Sequence, residues 1–308
     1  RQQLIATVAN NGGHLASNLG VVELTVALHK CFNSPKDKFV FDVGHQIYTH
    51  KLLTGRYDRF STLRTKGGIS GFTRPTESEH DPFFTGHSST SISSAYGISV
   101  SELIKGSKNY TVAVIGDGAF TGGMVHEALN NVEKDLRLII VLNENEMSIA
   151  KNTGRFANTL SKIRRGQAYF KAKKATRNFV KSIPLIGKPL FAGIKRIKMG
   201  VKNFLYGSNY FEDLGLTYLG PVDGNDAAAI EALLREAKKL DESVIIHAKT
   251  QKGLGYEPAE QAPTAYHGVS PVGKTSQKPN FSKVCGQVLT ELAEKDQRIC
   301  AITAAMGD

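Results

Sequence analysis

Asp117 lies between two glycines in Gly116-Asp117-Gly118, and Asn143-Glu144-Asn145 follows one helical stretch and one apolar run later. These are hard oxygen donors. Mg²⁺ takes six oxygens in a near-octahedral shell and commonly keeps phosphate oxygens and water among them. Asp117 can offer a charged oxygen, Asn145 an amide oxygen and Met147 a backbone carbonyl. The glycines let the backbone approach phosphate groups, and a following helix N-terminus favours negative charge. The chemistry these residues suggest is a divalent cation holding a diphosphate.

The elements that must position them are legible around them. Thr111–Ile115 is a β-branched apolar run with the length of a buried strand. Met124, Val125, Ala128, Leu129 and Val132 recur with helical periodicity, and Leu138–Leu142 is a second apolar run. This strand–helix–strand unit predicts a doubly wound α/β fold, a mostly parallel sheet with helices on both faces. In such sheets ligands sit beyond the carboxyl ends of the strands.

Further strand ends carry polar candidates. Residues 1–33 read as helix, turn, helix, with Val21, Leu24, Leu28 and Cys31 as a buried stripe and His14 beside Gly12-Gly13 in the turn. Phe39–Val43 predicts a strand ending in Gly44-His45-Gln46, and 51–84 an irregular excursion. Gly86-His87-Ser88-Ser89 opens a helix through Ile92, Ala95, Tyr96 and Leu103, with the serines as candidate caps. Leu214–Leu219 predicts a strand, Gly220–Gly224 a turn, and Asp226 the N-cap of a helix carrying Ile230, Leu233, Leu234 and Ala237. Ser243–Ala248 is another strand, after which Lys252 is placed to meet phosphate oxygens.

These stretches together resemble the 1-deoxy-D-xylulose-5-phosphate synthase family of transketolase-like enzymes. GDGAFTGGM with NENEMSI is similar to the thiamine-diphosphate (ThDP) motif, although Glu144 stands where that family usually has Asp. GGHLASNLGVVELTVALH, FDVGHQIYTHKLLTG, TGHSSTSIS, YLGPVDG and KGLGYEPAE follow in family order across nearly the whole chain. The resemblance implies ThDP and Mg²⁺ as cofactors, with Asp117, Asn145 and Met147 on the metal. It implies cofactor contacts from Ser17, His45, Gly86, His87, Ser88, Gly118, Ala119, Asn145, Lys252 and Tyr256, and proton handling by His14 and His267. It further implies condensation of pyruvate with glyceraldehyde 3-phosphate, a homodimer, and a bacterial cytoplasmic or plastid location. On this reading residues 1–275 form the diphosphate-binding domain. Residues 276–308 begin a pyrimidine-binding domain, through a helix at 281–295 with Val284, Val288, Leu289 and Leu292 and a strand at 298–303. The activating carboxylate would lie beyond Asp308, so the fragment alone is expected to be inactive.

Charge and composition limit the alternatives. The 308 residues carry a net charge of +11, yet fifteen of the 39 basic residues fall between Met147 and Phe211, where no acidic residue occurs. The remainder holds 24 basic against 28 acidic residues, so the total does not mark a nucleic-acid binder. The basic insert at about 150–210 reads as a solvated segment, with a polyanion-binding surface as its alternative. No apolar run reaches membrane-span length. Cys31, Cys285 and Cys300 show neither metal-ligand spacing nor a disulfide framework, which suits a reducing compartment. Gly268–Thr275 matches the phosphate-binding-loop pattern G-x-x-x-x-G-K-T, but no strand precedes it and SQKPN follows it. It reads as a linker. A transketolase, a nucleotide binder using Lys274 and a polyanion-binding module are the competing functions.

Overall fold

The computed structural model describes residues 1–145, 210–273 and 281–302. Met147, nearly all of the basic insert, Lys274 and Thr275 lie outside the described residues. Five strands, β1 (Lys38–Phe41), β2 (Thr111–Gly116), β3 (Leu138–Glu144), β4 (Thr217–Asp223) and β5 (Val244–Lys249), form one parallel sheet. Their order is β1-β2-β3-β5-β4.

Alternation along the strands builds two cores. Phe39, Phe41, Val112, Val114, Ile139, Val141, Val244 and Ile246 face one side. They meet α1 (Gln2–Asn11), α2 (Ala16–Gly20), α3 (Val22–Cys31) and, after β4, the helix at Ala227–Lys238. Val40, Ala113, Ile115, Leu138, Ile140, Leu142 and Ile245 face the other. There they meet the helix at Ser91–Ile104 and, after β2, those at Gly123–Asn131 and Tyr210–Asp213. Strands buried on both faces read as continuous apolar runs, as these do. The fold is the expected doubly wound α/β sheet.

The remaining α-helices among the described residues, in chain order, are α4 (Tyr48–Leu53), α5 (the Ser91–Ile104 helix), α6 (Asp117–Phe120), α7 (Gly123–Asn131), α8 (Tyr210–Asp213), α9 (Ala227–Lys238), α10 (Glu257–Gln261) and α11 (Phe281–Lys295), with one 3-10 turn at Phe60–Thr62. The stripe Val21, Leu24, Leu28 and Cys31 is buried. Asp226 caps α9, its carboxylate accepting from the N–H groups of Ala228 and Ala229.

Four expectations need correction. Residues 214–216 are not strand, and β4 instead runs through the expected turn to Asp223, absorbing Gly220-Pro221 as an irregularity between Leu219 and Val222. Ser88 and Ser89 do not cap α5, which begins after Thr90 without a side-chain cap. Met124 and Leu103 share the periodicity of their helices but lie at its edge and are exposed. The strand at 298–303 does not form among the described residues, because its backbone groups meet no neighbouring strand there. Helix α11 spans the expected 281–295 but buries none of its residues. Among the described residues no helix is long and apolar enough to cross a membrane.

The excursion at 51–84 is held by buried charge. Asp81 receives two hydrogen bonds from Arg56, at 2.8 and 2.9 Å, and lies 3.3 Å from His50. Glu77 pairs with Lys51 and Arg56. Burial alone would raise the Asp81 carboxyl, but hydrogen bonds from His50 and Arg56 hold it well below the usual carboxylate range.

Candidate functional site

The carboxyl ends of the parallel strands converge as the fold rule requires. Gly116 of β2 pairs in register with Asn143 of β3, so Asp117 and Asn145 emerge from adjacent strands. Asp117 is buried; one carboxylate oxygen accepts from the N–H of Gly118 at 3.0 Å and the other from that of Asn145 at 3.3 Å. The strand period puts Asn143 on one face of β3 and Glu144 on the other, and Asn145 is the first residue past the strand. Asn143 Oδ1 accepts from the Thr250 hydroxyl at 2.6 Å, and Glu144 turns to His247 at 2.7 Å. The Glu-for-Asp departure in the motif therefore falls on a side chain that is engaged by His247.

Beyond β1 the chain turns through Val43 and Gly44, both with positive φ, and presents His45. A Cβ on Gly44 would lie 1.9 Å from the Thr85 hydroxyl, so only glycine admits this contact. Through it the turn at 85–89 rests on the His45 loop. Ser89 anchors the same turn to the start of α6, donating its hydroxyl to the carbonyl of Ala119 at 2.7 Å. Gly86, His87 and Ser88 project from this bridge and are exposed. Buried Asp42 fixes its far side, accepting from the N–H groups of Ser89 and Ser91 at 2.8 and 3.0 Å. Sequence reasoning missed Asp42. Its one signal was an acidic residue inside the strand expected at Phe39–Val43.

His14, His45 and His267 form a triangle, with ring centroids 5.2, 5.5 and 5.3 Å apart. They come from three loops that Asn18 and the backbone tie together. The Asn18 amide donates to the carbonyls of His14 and His45, at 2.6 and 2.8 Å, and accepts from the N–H of Tyr48. The 266–269 segment is strapped to 13–16 by the Gly13–Val269 bridge and by the Ala16 N–H to the Tyr266 carbonyl. Ser17 Oγ lies 3.2 Å from His267 Nδ1. Asn18 also went unread in the sequence, since its role exists only across loops far apart in the chain.

Burial pushes His14 down to about 4 and His45 to about 3, aided by the neighbouring imidazoles, and lowers His267 as well. The rings are therefore neutral at pH 7. Among the described residues, Nδ1 of His14 and Nδ1 of His45 are buried without a hydrogen-bond partner. Buried polar atoms are normally paired, so these two invite a ligand atom. Lys252 joins the two halves of the site. It is buried, which lowers its pKa, while the Asp117 charge raises it; its own charge depresses His45 and His267. The backbone here is pinned by the Gly253 N–H to the Ala16 carbonyl at 2.9 Å. Tyr256 is placed differently from the others, its ring packing 5.7 Å from that of Tyr266 beside the core.

The donors suit a hard cation only in company. Among the described residues no group of three or more His, Cys, Asp or Glu could hold a metal. A carboxylate and an amide oxygen leave most of an octahedral shell to be filled, which phosphate oxygens and water can do. The Gly268–Gly273 stretch has no strand before it; it packs on the α1–α2 turn, where Val269 pairs with Gly13. That is not the strand–loop–helix setting of a nucleotide-binding loop.

The fold is shared with solved transketolases. A transketolase from Pichia stipitis in complex with xylulose 5-phosphate superposes with a TM-score of 0.60 at 18% identity, over 99% of this chain and 41% of that one. A Leishmania mexicana transketolase gives 0.59 at 16% identity, with the same coverage. The sequence is more particular. The model of the family described as 1-deoxy-D-xylulose-5-phosphate synthase matches residues 1–250, and the chain belongs to that family. It is 49% identical over 314 residues to the 1-deoxy-D-xylulose-5-phosphate synthase of Desulfitobacterium hafniense, covering 99% of this chain and 50% of the relative. It is 50% identical over 312 residues to that of Symbiobacterium thermophilum, covering 99% and 48%. The chain thus spans about half the length of the curated relatives it matches.

Proposed function

We propose that this chain supplies the diphosphate- and metal-binding half of a ThDP-dependent transferase that condenses pyruvate with glyceraldehyde 3-phosphate, with loss of CO₂. The observation that carries the reading is the placement of Asp117 and Asn145 on adjacent strand ends, joined through Lys252 to three neutral imidazoles. ThDP supplies the carbanion and the electron sink. The chain's own residues do the rest.

Asp117 and the Asn145 amide hold Mg²⁺, with the Met147 carbonyl completing the protein's share. Lys252 offsets phosphate charge, with Ser17, His45, Gly118, Ala119 and the Gly86-His87-Ser88 turn contacting the cofactor. His14 and His267, neutral and 5.5 Å apart, donate or accept hydrogen bonds at the substrate oxygens. Burial and mutual repulsion disfavour the charged form of these rings, so a proton accepted there is readily returned. Residues 1–275 form the diphosphate domain and 276–308 open the next; the exposed apolar residues of α11, Val284, Val288, Leu289 and Leu292, support that division. A homodimer in a bacterial cytoplasm or a plastid completes the reading.

The test compares this chain with a version extended to the relatives' full length. The extended protein should release CO₂ from pyruvate when glyceraldehyde 3-phosphate is present, and this chain alone should not. A ketose phosphate donor used in place of pyruvate by the extended protein would favour a transketolase and sink the proposal.

A further inference from the structure

A buried hydrogen-bonded chain lies beside the proposed cation site. Glu144 Oε2 lies 2.7 Å from His247 Nε2, and His247 Nδ1 lies 2.8 Å from the Tyr218 hydroxyl. The three residues come from β3, β5 and β4, so the chain crosses the sheet over three adjacent strands. His247 is fully buried and Glu144 nearly so. The Tyr218 ring stacks on Phe211, with centroids 5.5 Å apart and planes within 5°.

The direction of this chain follows from its donors. An ionised carboxylate only accepts, so His247 must present Nε2–H to Glu144. In the neutral ring Nδ1 is then bare and accepts the Tyr218 O–H. Each group thereby fixes the next, from a ring stacked in the core to the last residue of β3. Glu144 sits between Asn143 and Asn145, and the Asn145 N–H donates to the Asp117 carboxylate at 3.3 Å. A rotation of the strand end about its axis would swing Asn145 away from Asp117, and the Glu144–His247 bond resists that rotation.

We infer that His247, backed by Tyr218, is a positioning residue for the cation–diphosphate site, acting through Glu144 to hold Asn145 toward Asp117. The inference rests on the metal assignment proposed above. Groups that orient metal ligands from behind are commonly worth about 10- to 100-fold in metal affinity. The test is ThDP binding by calorimetry across a Mg²⁺ series, with melting of each unliganded variant measured alongside. His247→Phe should raise the Mg²⁺ needed for half-maximal binding by about tenfold or more. Glu144→Leu should do the same, and Glu144→Gln, which keeps an acceptor for Nε2–H, should restore near wild-type behaviour. Tyr218→Phe keeps the stacked ring and should give a smaller rise in the same direction, which decides the matter should His247→Phe not fold.

A lower melting temperature with an unchanged Mg²⁺ requirement in the folded variants would overturn the inference, leaving these residues a purely structural role. Mg²⁺-independent binding by the wild type, or Mg²⁺-dependent binding by Asp117→Ala, would overturn the metal assignment itself. Those outcomes are read from different proteins in the same series.

Discussion

Acid should destabilise this chain through its imidazole triangle, by an amount that can be worked out. His14 and His45 are lowered from an ordinary value of 6.5 to about 4 and about 3. Between pH 6.5 and 4 the unfolded chain binds these protons and the folded one does not, so stability falls as the pH falls. The stabilising difference is fully present above pH 6.5. Going from pH 7.5 to 5 should cost about 2 kcal/mol for each of the two rings, from 1.4 kcal/mol per pH unit over the 1.5 units below 6.5. Charging two rings at once would add about 3 kcal/mol of repulsion at 5.2 Å, for an effective dielectric near 20. The assay is urea unfolding at both pH values for the wild type, His14→Gln and His45→Gln. Each variant should lose about 2 kcal/mol less than the wild type across the interval. Imidazole carbon NMR supplies the direct check, with His14 remaining neutral at pH 5. Equal acid losses in all three proteins, or His14 titrating near 6.5, would refute the reasoning.

Three further outcomes are expected. Asp81→Asn removes one of the two carboxylates paired with buried Arg56, leaving Glu77, and should cost about 1.5–3 kcal/mol in urea unfolding, with proteolysis opening 54–81 first. Lys252→Met should weaken ThDP binding about tenfold or more in calorimetry while leaving the Mg²⁺ requirement in place, since one charge-assisted contact is worth about 1.5–3 kcal/mol. Lys274→Ala should leave ThDP binding unchanged, and neither it nor the wild type should take up ATP in an equilibrium titration.

The features legible in the sequence were those that local pattern dictates. Val112 to Ile115 and Leu138 to Leu142 are buried on both faces of a parallel sheet, so their apolar runs are unbroken and visible. Asp117, Asn145, His45 and Lys252 follow such runs directly, which put them at strand ends without any structure. Asp226 was readable as a cap because capping is local. What stayed hidden depends on contacts across the chain. Asp42 is bound to Ser89 and Ser91, Asn18 joins His14 to His45, and Glu144 reaches His247 across the sheet. Gly220-Pro221 carries turn composition and does interrupt the ladder, yet pairing with β5 on either side of it carries β4 on to Asp223. Met124 obeys the helical period, but the period alone does not say where the buried arc of a helix ends.

On the proposed reading Asp117 holds a divalent cation, which in turn holds a diphosphate. Calorimetric titration of ThDP into the wild type and into Asp117→Ala, each with and without Mg²⁺, tests it most directly. The wild type should bind only when Mg²⁺ is present, and Asp117→Ala under neither condition. Wild-type affinity in Asp117→Ala with its Mg²⁺ dependence intact would contradict it.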